Sequence, residues 1–208
     1  EEVTGIDLVC EQIRIARGDE LSFKQEEIEW NGHSIEARLY AENPANNFLP
    51  ETGTLIAFEQ NYDDKARWDS GVESGSVIGT EFDPMLAKVI SHAKTRKDAA
   101  LKLSKSLESA HIGGVTTNRD FLISTLRTEE FLDGKTTTDF IDVVNPARAL
   151  ILSKEMLMHS LAVAALWLQE LNRFNDNVLG HLPSGWTNGR IPKQNISFKY
   201  NDEEIEVL

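Results

Sequence analysis

The sequence contains a single cysteine, Cys10, among 208 residues. One cysteine cannot form an intramolecular disulfide, which excludes a disulfide-stabilised secreted scaffold and favours a reducing compartment. The five histidines lie far apart, without the short spacings that metal ligands show. No signal peptide opens the chain, and its apolar run from Leu161 to Leu168 is far shorter than the ~20 residues of a membrane-spanning helix. We therefore expect a protein of the cytoplasm, or of the mitochondrial matrix in a eukaryote, that does not bind membranes.

Basic residues are few relative to acidic ones: 21 Lys and Arg against 34 Asp and Glu give a formal net charge of −13. Nucleic-acid binding requires clustered Lys and Arg, so this balance argues against nucleic acid as a partner. Small anionic ligands remain possible, because they need only a local basic site. The hydrophobic content of 40% and the charged content of 26% are ordinary for a globular chain.

Several catalytic and binding motifs are absent from the sequence. It contains neither of the glycine-rich phosphate motifs G-x-x-x-x-G-K-[ST] and G-x-G-x-x-G, and no G-x-S-x-G. A biotinyl-lysine segment of the Met-Lys-Met type is also absent. The chain itself therefore offers no recognisable phosphate cradle, serine nucleophile or biotin attachment point.

The pattern of residues 1–146 predicts mixed helices and strands. We expect a helix from about Gly5 to Ala16, capped by Thr4, and then a hairpin joined by Asn31-Gly32, the strongest short turn signal. The predicted hairpin strands are 25–30 and 33–42, and further strands are 54–59, 66–70 and 75–78. The apolar run 85–93 fits either a buried strand or a helix, and we favour the strand. Further helices are 96–110, closed by Gly113-Gly114, and about 117–126. This order, without strict alternation, indicates an α+β fold with a mixed, largely antiparallel sheet and flanking helices.

The character of the chain changes around residues 144–146. Ser153 is a good N-cap for a long helix that ends near Phe174, and apolar residues cover more than half of its circumference. A loop over 179–190 follows, and then two strands, 196–200 and 204–208, with Asn201-Asp202 between them. One helix and one hairpin cannot bury this apolar surface. We therefore expect residues 147–208 to be the start of a truncated second domain.

The strongest candidate for a functional site is the strand I35-E-A-R-L-Y-A-E. Alternation sends its apolar residues to one face and Glu36, Arg38, Tyr40 and Glu42 to the other. This second face is either a solvated surface with cross-strand ion pairs, or a guanidinium held by carboxylates and directed at an oxyanion. Asp83 in F82-D-P-M is either a turn former or a supporting residue of the same site.

Long collinear segments carry a resemblance to biotin carboxylases over about residues 1–143. They are E2-V-T-G-I-D-L-V, Q12-I-R-I-A-R-G, L21-S-F-K-Q-E-E-I, G32-H-S-I-E-A-R-L-Y-A-E-N-P, F48-L-P-E-T-G, R67-W, F82-D-P-M-L-A-K and G113-G-V-T-T-N-R-D-F-L. The resemblance implies that 1–146 is a biotin carboxylase C-terminal domain, with 1–24 as the tail of the ATP-grasp part. It implies a ligase that uses ATP, bicarbonate and Mg²⁺ to carboxylate biotin.

The resemblance also implies roles for individual residues. Arg38 would lie at the biotin and bicarbonate site and stabilise biotin as its enolate, with Glu36 and Glu42 orienting the guanidinium and Asp83 in a supporting role. In this family the ATP and metal residues and the catalytic base precede the position of Glu1. The chain alone is therefore expected to be inactive.

The segment L182-P-S-G-W-T-N-G is similar to α subunits of acyl-CoA carboxylases of the propionyl-CoA type. This similarity implies that residues after about 147 contact a carboxyltransferase β subunit, and that a biotin carrier domain belongs to the same polypeptide. Carboxylases of methylcrotonyl-CoA, acetyl-CoA, pyruvate or urea are alternatives. A stand-alone, non-catalytic domain that binds a carboxylase partner is another.

Overall fold

The computed structural model describes residues 1–60, 66–150, 152–175, 189, 195–200 and 203–207. The chain forms two compact units, Glu1–Leu150 and Ile151–Leu208. The W-T-N segment, most of the predicted loop over 179–190 and the predicted Asn201-Asp202 turn lie outside the described residues.

The first unit mixes short helices and strands. Its helices are α1 (Leu8–Ala16), α2 (Arg96–Ser109), α3 (Arg119–Leu126), α4 (Glu129–Leu132) and α5 (Phe140–Val144). Its strands are β1 (His33–Tyr40), β2 (Glu42–Asn43), β3 (Leu49–Pro50), β4 (Gly53–Thr54), β5 (Ala57–Glu59), β6 (Arg67–Ser70), β7 (Val77–Ile78), β8 (Met85–Ala93) and β9 (His111–Gly113).

A three-stranded sheet in the order β1-β8-β6 organises this unit. The pairs β2-β3, β4-β7 and β5-β9 form small two-stranded sheets, and all pairings among the described residues are antiparallel. The predicted α+β class with a largely antiparallel sheet is therefore confirmed. The long apolar run predicted as a strand over 85–93 is β8, and it forms the centre of the sheet.

One face of this sheet packs on α2. Leu103 and Leu107 of the helix are fully buried, and they join a cluster with Ala37 of β1 and Val89 of β8. Full burial of a leucine side chain contributes about 1.5–3 kcal/mol each. The helix begins where Thr95 accepts a hydrogen bond from the Asp98 backbone N–H. The opposite face, hereafter the open face, carries the exposed Glu36 and Arg38 of β1, whereas Ile90 of β8 is buried on it.

The predicted N-cap of α1 is wrong. The helix begins at Leu8, because the carboxylate of Asp7 accepts hydrogen bonds from the backbone N–H groups of Val9 and Cys10, at 3.0 and 2.9 Å. Thr4 instead accepts a local hydrogen bond from the Ile6 N–H at 3.3 Å. An aspartate is at least as good an N-cap as threonine, and here it lies closer to the apolar stripe.

The predicted hairpin is also wrong. Gln25–Glu27 is a single 3₁₀ turn, closed by backbone hydrogen bonds and capped by a hydrogen bond from the Lys24 backbone N–H to the Glu27 carboxylate. The partner of β1 is β8, far along the sequence, with His33 opposite Ala93. The Asn31 carbonyl lies 2.6 Å from Nε2 of His92. An Asn-Gly turn forms a hairpin only when the segments on both sides of it pair as strands. Here the segment after the turn, β1, pairs with β8 instead.

The predicted role of Gly113-Gly114 in closing α2 is wrong as well, although the helix ends within one residue of the predicted position 110. Helix α2 ends at Ser109, and Gly113 is the last residue of β9, which pairs with β5. Gly114 follows with φ of +105° and packs against the backbone of the segment that joins β4 to β5. Glycine is suited to this position because it lets two backbone segments approach closely, and it does not cap a helix.

The second unit consists of α6 (Lys154–Asn175) and a hairpin of β10 (Ile196–Tyr200) and β11 (Glu203–Val207). Ser153 accepts a hydrogen bond from the Met156 N–H at 3.2 Å, which confirms its predicted cap role. A cavity of about 860 Å³ lies between the helix and the hairpin. Large apolar side chains of α6 are exposed, among them Leu166, Trp167 and Phe174. Among the described residues, no helix has the length and hydropathy needed to cross a bilayer.

Candidate functional site

The open face of the sheet carries the residues of the predicted site. Along β1, Ala37 and Leu39 are buried against the α2 side, whereas Glu36 and Arg38 are exposed. Tyr40 is partly buried at the end of the strand. The predicted two-residue alternation of this strand is therefore confirmed as far as Tyr40.

The guanidinium of Arg38 is held by one carboxylate. Its Nε donates a hydrogen bond to Oε1 of Glu36 at 3.2 Å, and 63% of the Arg38 side chain is exposed. Hydrogen bonds first to Glu36 and then to Tyr40 raise the pKa of Arg38 above its ordinary value, so the group stays cationic. Such an exposed pair contributes little to stability. Its effect is to orient a cation whose remaining N–H donors can meet a ligand.

The backbone beneath this arginine is fixed by Asn118, which immediately precedes α3. The Asn118 side chain donates to the Arg38 carbonyl at 3.2 Å and accepts from the Tyr40 N–H at 2.9 Å. Its own backbone N–H donates to the Tyr40 carbonyl at 3.1 Å. Asn118 is only 6% exposed and makes no side-chain cap bond to α3. Sequence reasoning treated it as a helix start and missed this role, because nothing in a linear pattern names its partners.

The predicted contact between Glu42 and Arg38 is wrong, since the described residues that pair with Arg38 include Glu36 alone among carboxylates. The register shifts between Leu39 and Tyr40, so the alternation that would have kept Glu42 beside Arg38 is interrupted. Glu42 lies in β2 and is partly buried. Burial, and secondly the charge of Asp83, raise its pKa above the ordinary value.

Asp83 forms the turn before β8. Its Oδ1 accepts a hydrogen bond from the Met85 N–H at 2.9 Å, and the next carbonyl, of Pro84, accepts from the Ala41 N–H at 2.9 Å. Asp83 and the exposed Phe82 line a cavity of about 360 Å³ beside this turn. Asp83 is thus a turn former by geometry, and it also lies close enough to Glu42 to affect its ionisation.

The cation on this face is suited to binding an oxyanion. Among the described residues, no group of three or more His, Cys, Asp or Glu side chains could hold a metal ion. Arg38 instead presents an oriented cation with N–H donors, which suits an oxygen that bears or gains negative charge. The ureido oxygen of biotin and the oxygens of bicarbonate are groups of this kind.

Comparison with known proteins agrees with the resemblance to biotin carboxylases over most of the first unit. Residues 36–143 match the family described as "Biotin carboxylase C-terminal domain". Biotin carboxylase 2 of Bacillus subtilis is 42% identical over 141 residues, which are 68% of this chain and 32% of that protein. The mitochondrial methylcrotonoyl-CoA carboxylase subunit alpha of Arabidopsis thaliana is 34% identical over 221 aligned positions, covering 98% of this chain and 30% of that protein.

A solved structure agrees with the fold. The biotin carboxylase domain of 2-oxoglutarate carboxylase from Hydrogenobacter thermophilus, in complex with MgADP and bicarbonate, superposes with a TM-score of 0.69 at 33% identity. The match covers 72% of this chain and 33% of that one. The chain thus spans about a third of the length of each of these three proteins.

Proposed function

Because the chain belongs to the family of biotin carboxylase C-terminal domains, we propose that it is part of the α subunit of a biotin-dependent acyl-CoA carboxylase. The complete polypeptide would carboxylate biotin with ATP, bicarbonate and Mg²⁺. The observation that carries this proposal is the Arg38 guanidinium, exposed on the open face of the sheet, oriented by Glu36 and fixed through its backbone by Asn118. Nucleotide and metal binding would belong to parts of the polypeptide outside this chain.

Arg38 acts in this proposal as a preorganised cation. Biotin, when bound, would supply the ureido nitrogen that accepts the carboxyl group. The Arg38 N–H donors would bind the neighbouring oxygen, which would gain negative charge when a base outside this chain takes the proton from that nitrogen. Oxyanion stabilisation of this kind is worth about 3–4 kcal/mol. Glu36 keeps the guanidinium in place, whereas Glu42 of β2 and Asp83 of the turn before β8 lie close to each other at the edge of the site.

The acyl substrate is the finer part of the proposal. The G-W-T-N segment suggested propionyl-CoA, but the similarity to the methylcrotonoyl-CoA carboxylase α subunit extends over 98% of this chain and so includes the second unit. This extent favours a branched, unsaturated acyl group of the 3-methylcrotonoyl type, with propionyl-CoA as the second candidate. In either case residues 147–208 would contact the carboxyltransferase β subunit, and a biotin carrier domain would lie on the same polypeptide. The exposed apolar side chains of α6 are consistent with such a contact.

The test uses the natural full-length polypeptide that contains this sequence. A streptavidin blot should detect it as biotinylated, and it should carboxylate biotin only when ATP, Mg²⁺ and bicarbonate are all present. With its carboxyltransferase partner it should carboxylate 3-methylcrotonoyl-CoA faster than propionyl-CoA or acetyl-CoA. A faster rate with propionyl-CoA would change the substrate and keep the enzyme class. A polypeptide that is neither biotinylated nor active would indicate a non-catalytic partner-binding domain instead.

A further inference from the structure

Lys88 occupies the centre of the β1-β8-β6 sheet. The strand register places it opposite Arg38 of β1 on one side and opposite Asp69 of β6 on the other. Directly opposite residues of antiparallel strands project from the same face, with Cβ atoms about 4.5–5.5 Å apart. The Lys88 side chain therefore rises from the open face that carries Arg38, and it is partly buried there.

Two carboxylates of this face, Asp69 opposite Lys88 and Glu36 of β1, already have arginine partners. Asp69 accepts a hydrogen bond from Nη2 of Arg67 at 3.0 Å, and Glu36 accepts one from Nε of Arg38 at 3.2 Å. Within the described part of the chain, the Lys88 ammonium group makes no hydrogen bond or ion pair. Lys88, a partly buried residue, is thus paired across the strands with Arg38 and has no carboxylate partner among the described residues.

Two cations directly opposite each other destabilise an antiparallel sheet. An oxyanion between them reverses this effect, because a carboxylate or carbonate can accept hydrogen bonds from both groups at once. The two side chains are complementary for this purpose. The guanidinium is a planar fork held in place by Glu36, whereas the ammonium is a compact charge on a flexible stem that can adjust to the ligand.

We propose that Lys88 is a second anion-binding residue of the Arg38 site, and that the two side chains together hold a carbonate-type oxyanion. The ligand is either free bicarbonate or the carboxylate that bicarbonate becomes when it is attached to biotin. The identity of this ligand rests on the proposed function. The pairing of the two cations rests only on the register of β1 and β8.

The kinetic test replaces the ammonium group in the full-length polypeptide by Lys88→Gln. The kcat/KM for bicarbonate in ATP-dependent biotin carboxylation should fall about tenfold or more, as expected for the loss of one charged hydrogen bond. A raised KM for bicarbonate would identify the free anion as the ligand. A lowered kcat with unchanged KM values would identify the carboxylate on biotin. Kinetics equal to those of the wild type would overturn the proposal.

Two further variants make the kinetic test specific. Lys88→Arg keeps the positive charge and should retain more activity than Lys88→Gln. Lys105→Gln removes an exposed lysine from α2, which packs on the other face of the sheet, and should leave the rate unchanged. An equal loss in Lys88→Arg and Lys88→Gln would contradict a role for the charge.

A second readout does not depend on activity. In chloride buffer without bicarbonate, Lys88→Gln should melt at or above the wild-type temperature, because the repulsion from Arg38 is removed. Sodium bicarbonate, at constant pH and ionic strength, should raise the melting temperature of the wild type more than that of the variant. A variant that melts several degrees below the wild type in chloride would show a structural role and overturn the proposal.

The two proposals fail in distinguishable ways. A wild-type polypeptide that does not carboxylate biotin would contradict the proposed function and leave the cation pair to be judged by the bicarbonate melting experiment. If bicarbonate then protected the wild type and the Lys88→Gln variant equally, or protected neither, the anion site would be overturned as well.

Discussion

The side-chain amide of Asn118 donates a hydrogen bond to the backbone carbonyl of Arg38, at an Nδ2–O distance of 3.2 Å and a separation of 80 positions in the sequence. The same side chain accepts a hydrogen bond from the Tyr40 N–H. One buried amide therefore holds the end of the strand from which the candidate functional cation projects. The orientation of Arg38 depends on the start of α3 as well as on its neighbour Glu36.

Replacing this amide should loosen the strand end. Asn118→Ala leaves the Arg38 carbonyl and the Tyr40 N–H without their partners, so we expect the free energy of unfolding to fall by about 2–3 kcal/mol. Denaturant titration of the natural polypeptide measures the change. Asn46→Ala, at an exposed position, is the control and should change it by about 0.5 kcal/mol or less. An effect of Asn118→Ala no larger than the control would contradict the assigned role.

Removing the Arg38 cation should strongly slow biotin carboxylation without destabilising the fold. Arg38→Gln in the full-length polypeptide should lower the rate of biotin carboxylation about 10²–10³-fold, as the loss of one oxyanion donor does. Its melting temperature should stay close to that of the wild type, because the Arg38–Glu36 pair is exposed. Arg17→Gln is a matched control, since Arg17 is also exposed and pairs with Asp19 at 3.7 Å. A normal biotin-dependent rate in Arg38→Gln would refute the assignment of Arg38.

The contributions of two glutamates to folding stability should change with pH in opposite directions. Burial and the charge of Asp83 raise the pKa of Glu42, so ionised Glu42 destabilises the folded state at neutral pH. This cost disappears as the pH falls through the raised folded pKa and below the ordinary value of 4.5. Glu42→Gln should therefore be more stable than the wild type at pH 7, with a difference that vanishes below about pH 4.

Glu108 is the matched case of opposite sign. The hydrogen bond from Arg127, at 2.6 Å, lowers the pKa of Glu108, so its contribution is present above the ordinary value of 4.5 and is lost as the pH falls through the lowered pKa. Glu108→Gln should be less stable than the wild type at pH 7, by less than about 1 kcal/mol because the pair is exposed. Denaturant titrations across pH measure the free energy of unfolding of both variants. If Glu42→Gln and Glu108→Gln were both more stable, or both less stable, than the wild type at pH 7, one of the two assignments would be wrong.

Two adjacent glycines should differ sharply in their tolerance of a side chain. A Cβ at Gly114 would collide with the Thr54 carbonyl and approach the Ile56 backbone nitrogen to 2.6 Å, at a φ of +105°. Gly114→Ala should therefore lower the free energy of unfolding by about 2 kcal/mol or more. At Gly113 a Cβ meets nothing within 4 Å, so Gly113→Ala should cost less than about 1 kcal/mol. Equal costs would contradict the close approach of these backbones.

Local patterns were sufficient for several elements. Strand β8 follows from its continuous apolar character, and helix α2 from the apolar stripe on one side of residues 96–110. The alternation around Arg38 follows from the two-residue period of a strand with one buried face. The family resemblance was likewise visible in motif order, and the match over residues 36–143 confirms it.

The errors arose where pairing is decided at long range. The Asn31-Gly32 turn predicted a hairpin, but β1 pairs with β8 instead, and the register shift after Leu39 removes Glu42 from the side of Arg38. Both outcomes depend on the pairing of β1 with a strand that lies far away in the sequence.

By itself, the sequence determined the fold class, the alternation of β1 and the presence of one exposed arginine within it, because each follows from residues that are neighbours in the chain. Only the tertiary structure decided that Asn118 fixes the backbone of Arg38 and that Lys88 stands opposite it. The physical reason is that hydrogen bonds and cross-strand contacts join whichever groups folding brings within a few ångströms, and a linear pattern does not specify those distances.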